Sequence, residues 1–258
     1  MTQHRTLTSF QSTGRIGQST LKQGLISWLG FAAIDFSAVD ADDEHRTLSA
    51  WYPELTTRIP YRNDDDLLAI LNAPIDAPVH LIDFPSMHSQ SILMAFDHFN
   101  ALKLFESRNI RLTAFIFASD ERAAMNSAHQ IITAFESNAD YVIVKNPARF
   151  ASGIFENSKP AALLKKLNAS TIEIPRITGA TLETLDAASR RAKKALTFRE
   201  GEPLLEIGSQ FELEHWRNRL FAQFEDIAKV LLPSPDLIQQ KVERPKQKTL
   251  AVVDPYDL

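Results

Sequence analysis

Short apolar runs that stop at an acid or a proline recur along this chain, and helical patterns separate them. Leu7, Ser9 and Phe10 belong to the first run, residues 32–39 to the second, and residues 79–85 to the third. Residues 111–117, 141–144 and 171–174 follow, the last closed by Pro175. Continuous runs of this kind suit strands covered on both faces. Between them, apolar residues at three- and four-residue steps predict helices over 21–29, 64–71, 89–108, 123–136, 158–168, 182–196 and 209–232. The alternation predicts βαβ units and an α/β fold with one open, mostly parallel sheet and helices on both faces. Ligands bind such sheets outside the carboxyl ends of the strands, so the residues that end the runs are the first site candidates.

The stretch Ser12-Thr13-Gly14-Arg15-Ile16-Gly17-Gln18-Ser19-Thr20 lies between the first run and the first helical pattern. Strand, glycine turn and helix together form the setting of a phosphate site. Backbone N–H groups converge on an anion there, and the positive end of the helix dipole adds to the attraction. A phosphate loop of this type places lysine before its serine or threonine, and this chain places Gln18 there. Asp40 and Asp42 fall at the end of the second run and Asp83 at the end of the third. Asp64, Asp65 and Asp66 read as the acidic start of a short helix.

Composition narrows the class. The 258 residues suffice for one large α/β domain, taken here as residues 1–232, followed by a tail over 233–258. That tail carries prolines at 233, 235, 245 and 255 with Lys241, Arg244, Lys246 and Lys248, a composition that predicts an extended segment. A formal net charge of −4 supplies no bulk attraction for nucleic acid, so any DNA contact needs a local patch. Arg190, Arg191, Lys193 and Lys194 form a basic cluster that, with the tail lysines, is the candidate for this patch. Cysteine is absent, which removes disulfides, thiolate metal sites and cysteine nucleophiles. No apolar run approaches the roughly 20 residues that span a bilayer, and no secretory leader is legible. The expectation is a cytoplasmic protein with no membrane partner. The histidines show no ligand spacing and read as structural or surface residues.

With these residues in place, the chain resembles the ParA/MinD family of deviant Walker-A ATPases. The family loop, Lys-Gly-Gly-x-Gly-Lys-Ser/Thr-Thr, corresponds to Thr13 through Thr20. Its Asp-x-Asp segment looks like Asp40-Ala41-Asp42, and its Walker-B-like strand end looks like Leu81-Ile82-Asp83-Phe84-Pro85. The adenine-reading asparagine looks like Asn146, followed by Pro147, and a later family proline looks like Pro175. The resemblance implies that Gly14, Arg15, Ile16, Gly17, Gln18, Ser19 and Thr20 hold phosphate. It implies further that Ser19 and Asp83 hold Mg²⁺, and that Asp42 with Asp40 orients the attacking water. ATP or ADP with Mg²⁺ is the implied cofactor, and a protein partner, a homodimer and nonspecific DNA binding are the implied associations. Plasmid or chromosome partition, conjugation and division-site positioning are the implied processes.

Both lysines of the family loop are replaced, by Thr13 and Gln18. Positive charge at the transferring phosphoryl group supplies much of the rate in phosphoryl transfer, so a pseudo-ATPase with weak or lost hydrolysis is expected. Arg15, Lys22 and Lys145 are the candidates for a replacement cation. Two alternatives stand beside this reading. One is an NAD(P)-binding Rossmann oxidoreductase, for which Thr13-Gly14-Arg15-Ile16-Gly17, Asp40 and the Tyr141-x-x-x-Lys145 spacing speak. The other is a nucleotide-free adaptor that keeps the fold to bind protein or DNA.

Overall fold

The computed structural model describes residues 3–11, 14, 16–86, 88–147 and 153–239. Seven strands make one sheet: β1 (His4–Ser9), β2 (Phe36–Asp40), β3 (Thr56–Arg58), β4 (Val79–Asp83), β5 (Ile110–Phe117), β6 (Ala139–Lys145) and β7 (Ser170–Glu173). Their order is β3-β2-β4-β1-β5-β6-β7, and every pairing is parallel. The chain moves from β1 toward one edge as far as β3, returns with β4, and then crosses β1 to build the other edge. The strand order therefore reverses about β1, which is where an open sheet leaves a crevice at its carboxyl edge.

The alternation of side chains along the strands feeds two apolar layers. On one face Leu7, Val79, Leu81 and Phe115 pack with Leu21, Leu25, Trp28 and Leu29 of α1 (Gln18–Phe31). Helices α2 (Thr47–Trp51) and α3 (Asp64–Leu71) follow, and α3 starts with a reciprocal capping box between Asn63 and Asp66. The opposite layer joins Phe10, Ile82 and Phe84 to α4 (Ser89–His98), α5 (Ala101–Ser107), α6 (Arg122–Phe135) and α7 (Lys159–Lys166). After β7 come α8 (Gly179–Ala192), α9 (Phe198–Gly201), α10 (Ile207–Asp226), α11 (Ala228–Leu231) and α12 (Asp236–Gln239). Of these, α10 and α11 return to the α1 layer through Trp216, Leu220, Phe224 and Leu231.

The expected α/β architecture is therefore present, with local corrections. The single helix predicted over 89–108 is two, because Asn100 adopts φ +53°, a left-handed conformation that asparagine tolerates and that ends a helix. The second strand begins at Phe36 and not at residue 32. Residues 32–34 instead make the exit turn of α1, with Ala33 at φ +51° and Ile34 N–H returning to Leu29 O. The short edge strand β3 has no expected counterpart, because three residues are too few to show a period. The helix predicted over 209–232 is the pair α10 and α11; the tail expected to be extended instead starts with the short helix α12, whose Leu237 and Ile238 pack on the α1 layer, and residues 240–258 lie outside the described residues. Among the described residues no helix is long and apolar enough to cross a membrane.

Candidate functional site

Parallel register brings the acids together before any side chain is considered. Asp83 stands beside Ser9 across the β1–β4 pair and beside Asp40 across the β2–β4 pair. All three end their strands at the edge from which α1 starts. An open cleft of about 900 Å³ lies over this edge, bordered by Gly14, Gly17, Gln18, Ser19, Thr20, Lys22, Asp42 and Asp83. Its far wall includes Asn146, Pro175 and Arg176.

Gly17 sets the entry to α1. It sits at φ 107°, ψ 12°, immediately before the first helical residue, and among the described residues no side chain caps the helix. The first-turn N–H groups of α1 therefore open toward the cleft, with Ser19 exposed at its rim. A Cβ on Gly17 would lie 2.6 Å from Asn146 Nδ2 and 3.1 Å from Ile174 Cδ1. Gly17→Ala combines a left-handed backbone with this clash, and is expected to lower stability by about 2 kcal/mol or more. Urea unfolding of the variant against wild type measures it.

Asn146 holds this turn from the other side of the sheet. Its Nδ2 donates to Ile16 O at 3.0 Å, inside a buried setting. The side chain expected to read adenine thus braces the glycine turn. Gln18 leans back toward the strand, its Nε2 3.5 Å from Gln11 O, while Gln11 bonds both the N–H and the carbonyl of Phe117 on β5. Ser12, Thr13 and Arg15 lie outside the described residues.

The two acids of the Asp-x-Asp segment are largely consumed by their own loop. Asp40 is fully buried; its Oδ2 accepts from Ser49 N–H and Ser49 O–H, each at 2.8 Å, and its Oδ1 accepts from Asp42 N–H at 3.1 Å. It anchors the first turn of α2. Asp42 Oδ1 accepts from the N–H groups of Glu44 and His45 at 2.9 and 3.0 Å, and its Oδ2 lies 3.2 Å from His45 Nδ1. Asp42 borders the cleft; Asp40 does not.

Asp83 has a different partner. Lys22 Nζ makes direct contact with Asp83 Oδ1, and the side chains keep only 10% and 7% of their surface exposed. Lys22 follows Gln18 by four residues on α1, one helical turn, so its side chain reaches the strand end beneath the loop. Burial pushes the Asp83 carboxyl above its ordinary range, against the pull of the ammonium. The residues expected to hold Mg²⁺ were Ser19 and Asp83. They do not fit a divalent cation as they stand, because a buried ammonium already neutralises the Asp83 carboxylate. Among the described residues no group of three or more acids and histidines could hold a metal ion.

The remaining candidates are not in contact with the Lys22–Asp83 pair among the described interactions. Lys145 pairs with Glu156 at 2.8 Å. Tyr141 and Lys145 lie on strand β6, and the Tyr141 hydroxyl donates to Glu136 O. The helical Tyr-x-x-x-Lys pair that the dehydrogenase alternative requires is therefore not formed. Pro175 lines the cleft and accepts from Trp216 Nε1 through its carbonyl at 2.8 Å, and Pro147 is exposed beside Asn146. Arg190, Arg191, Lys193 and Lys194 are exposed at the end of α8, where cations suit the helix dipole, and Lys194 pairs with Glu200.

Sheet order, helix placement and an open cleft at the reversal define an open, doubly wound α/β protein. No protein-family model matches the chain, and no curated protein matches it. Solved structures do. The MinC:MinD cell division protein complex of Aquifex aeolicus aligns at 12% identity over 84% of this chain and 96% of that chain, with a TM-score of 0.47. A ParA family ATPase from Chlorobium tepidum TLS aligns at 10% identity over 84% and 99%, with a TM-score of 0.43. FlhF complexed with GMPPNP/Mg(2+) aligns at 14% identity over 67% and 64%, with a TM-score of 0.38. These likenesses concern the path of the chain.

Proposed function

We propose that this chain is a nucleotide-binding protein that holds ATP or ADP in the cleft over β1 and β4 and does not turn ATP over appreciably. The observation that carries the reading is the start of α1, uncapped among the described residues, entered through left-handed Gly17 and opening onto a cleft that Lys22 borders. Exposed N–H donors, a helix dipole and an ammonium together favour a polyphosphate. Turnover demands more. The loop position next to Ser19 is the neutral Gln18, Asp40 is occupied by Ser49, and Asp42 is occupied by its own turn. A protein that binds nucleotide without consuming it acts as a switch or adaptor for a protein partner, and partition, conjugation and division positioning are the processes in which we place it.

Calorimetric titration of the full chain with ATP tests the reading. A dissociation constant of the order of 10–100 µM is expected, with phosphate release no faster than in protein-free controls. No heat of binding up to about 1 mM ATP would remove the nucleotide from the proposal. Steady Mg²⁺-dependent release of phosphate would remove the loss of turnover.

A further inference from the structure

We propose that Lys22 is the built-in cation of this cleft: it takes the polyphosphate of the ligand directly, without a divalent metal ion, and Asp83 is the counter-ion that holds it between ligands. The inference rests on the nucleotide reading above. Four observations lead to it. Lys22 and Asp83 both border the cleft, yet they are nine-tenths buried and in direct contact. Of the acids at this edge Asp83 is the one in contact with the ammonium: Asp40, beside it in register, is committed to Ser49 and Asp42 N–H, and Asp42 to the N–H groups of Glu44 and His45. Gln18, at the loop's usual lysine position, brings no charge. Lys145, the other described lysine considered as a replacement, is held by Glu156.

An ammonium carries three donors. Asp83 takes one among the described residues, and a phosphate entering from the α1 side can take another with little movement of the lysine. A divalent cation at the same carboxylate would first have to displace a buried ammonium from its contact with Asp83. Charge matching therefore runs in an unusual order. Asp83 competes with the ligand for Lys22, where an acid serving a metal would assist the ligand.

This competition gives the two arrangements opposite signs in one variant. Calorimetric titration of the full chain with ATP, in excess Mg²⁺ and separately in EDTA, provides the readout. The wild-type dissociation constant is expected to differ by less than about threefold between the two conditions. Asp83→Asn releases the ammonium and is expected to tighten binding in EDTA by about tenfold, the scale of one charge-assisted hydrogen bond. Lys22→Met/Asp83→Leu replaces the pair by apolar residues of similar size. It is expected to keep the fold by circular dichroism and to weaken binding in EDTA by about tenfold or more. Binding that requires Mg²⁺ and weakens in Asp83→Asn would overturn the inference while leaving the nucleotide reading standing. Unchanged binding in the folded double variant would overturn it as well. Absence of ATP binding in both conditions would overturn the nucleotide reading and the inference with it.

Discussion

Lys22→Met is expected to lose about 3–5 kcal/mol of folding stability at neutral pH, a large share of what a domain of this size possesses. The loss does not come from the lysine's own contacts. It comes from Asp83, which the substitution leaves charged, buried and without its ammonium. The coupling makes the effect separable from simple loss of packing: Lys22→Met/Asp83→Leu removes the stranded charge and is expected to recover most of the stability. A double-mutant cycle by urea unfolding reads the pair directly.

The pH dependence of that variant carries a definite sign. Burial raises the Asp83 carboxyl above its unfolded value, and removing Lys22 leaves burial unopposed by that charge. A group whose folded value is raised binds protons more readily folded than unfolded. Stability is then lost as pH rises from the ordinary aspartate range through the raised folded value. The deficit of Lys22→Met relative to wild type is therefore expected to shrink as pH falls toward the ordinary aspartate range, and a deficit that stays constant down to that range would place the cost elsewhere than on Asp83.

How much of this site was legible in the sequence follows from the range of each interaction. The acids at strand ends were visible because an apolar run that stops at an aspartate marks the sheet edge whatever the neighbouring strands do. Asp83 and Asp40 accordingly meet in register. Lys22 was named among the candidate cations with Arg15 and Lys145, but nothing in the sequence singled it out, and its partner was not legible. The contact spans 61 residues and depends on β4 inserting between β2 and β1, an order that periodicity does not encode. Asn146 was recognised as a residue at a strand end, yet its bond to Ile16 O spans 130 residues and carries no local signal. The break at Asn100 had a signal, an asparagine inside a helical pattern, which continuous amphipathicity on both sides obscured.

Asp40 is where the expectation from spacing and the geometry part most clearly, and substitution separates them. As an acid beside the reacting phosphate it would be dispensable for folding. In the structure it accepts three hydrogen bonds from Ser49 and Asp42 in a setting with no solvent exposure. Hydrogen bonds to a charged group contribute about 1.5–3 kcal/mol each, and donors left unpaired in the interior add their own cost. Asp40→Ala is therefore expected to destabilise the protein by about 3–5 kcal/mol and to loosen the segment from Asp42 to Thr47 that borders the cleft. Asp40→Asn keeps an acceptor and the side-chain volume, and is expected to cost about half as much. Asp42→Ala leaves two backbone donors that a less enclosed turn can offer to water, and is expected to cost about 1 kcal/mol. Urea midpoints rank the three, and hydrogen exchange of the Glu44 and Ser49 amides locates the change. Wild-type stability and protection in Asp40→Ala would return that carboxylate to the chemistry of the cleft.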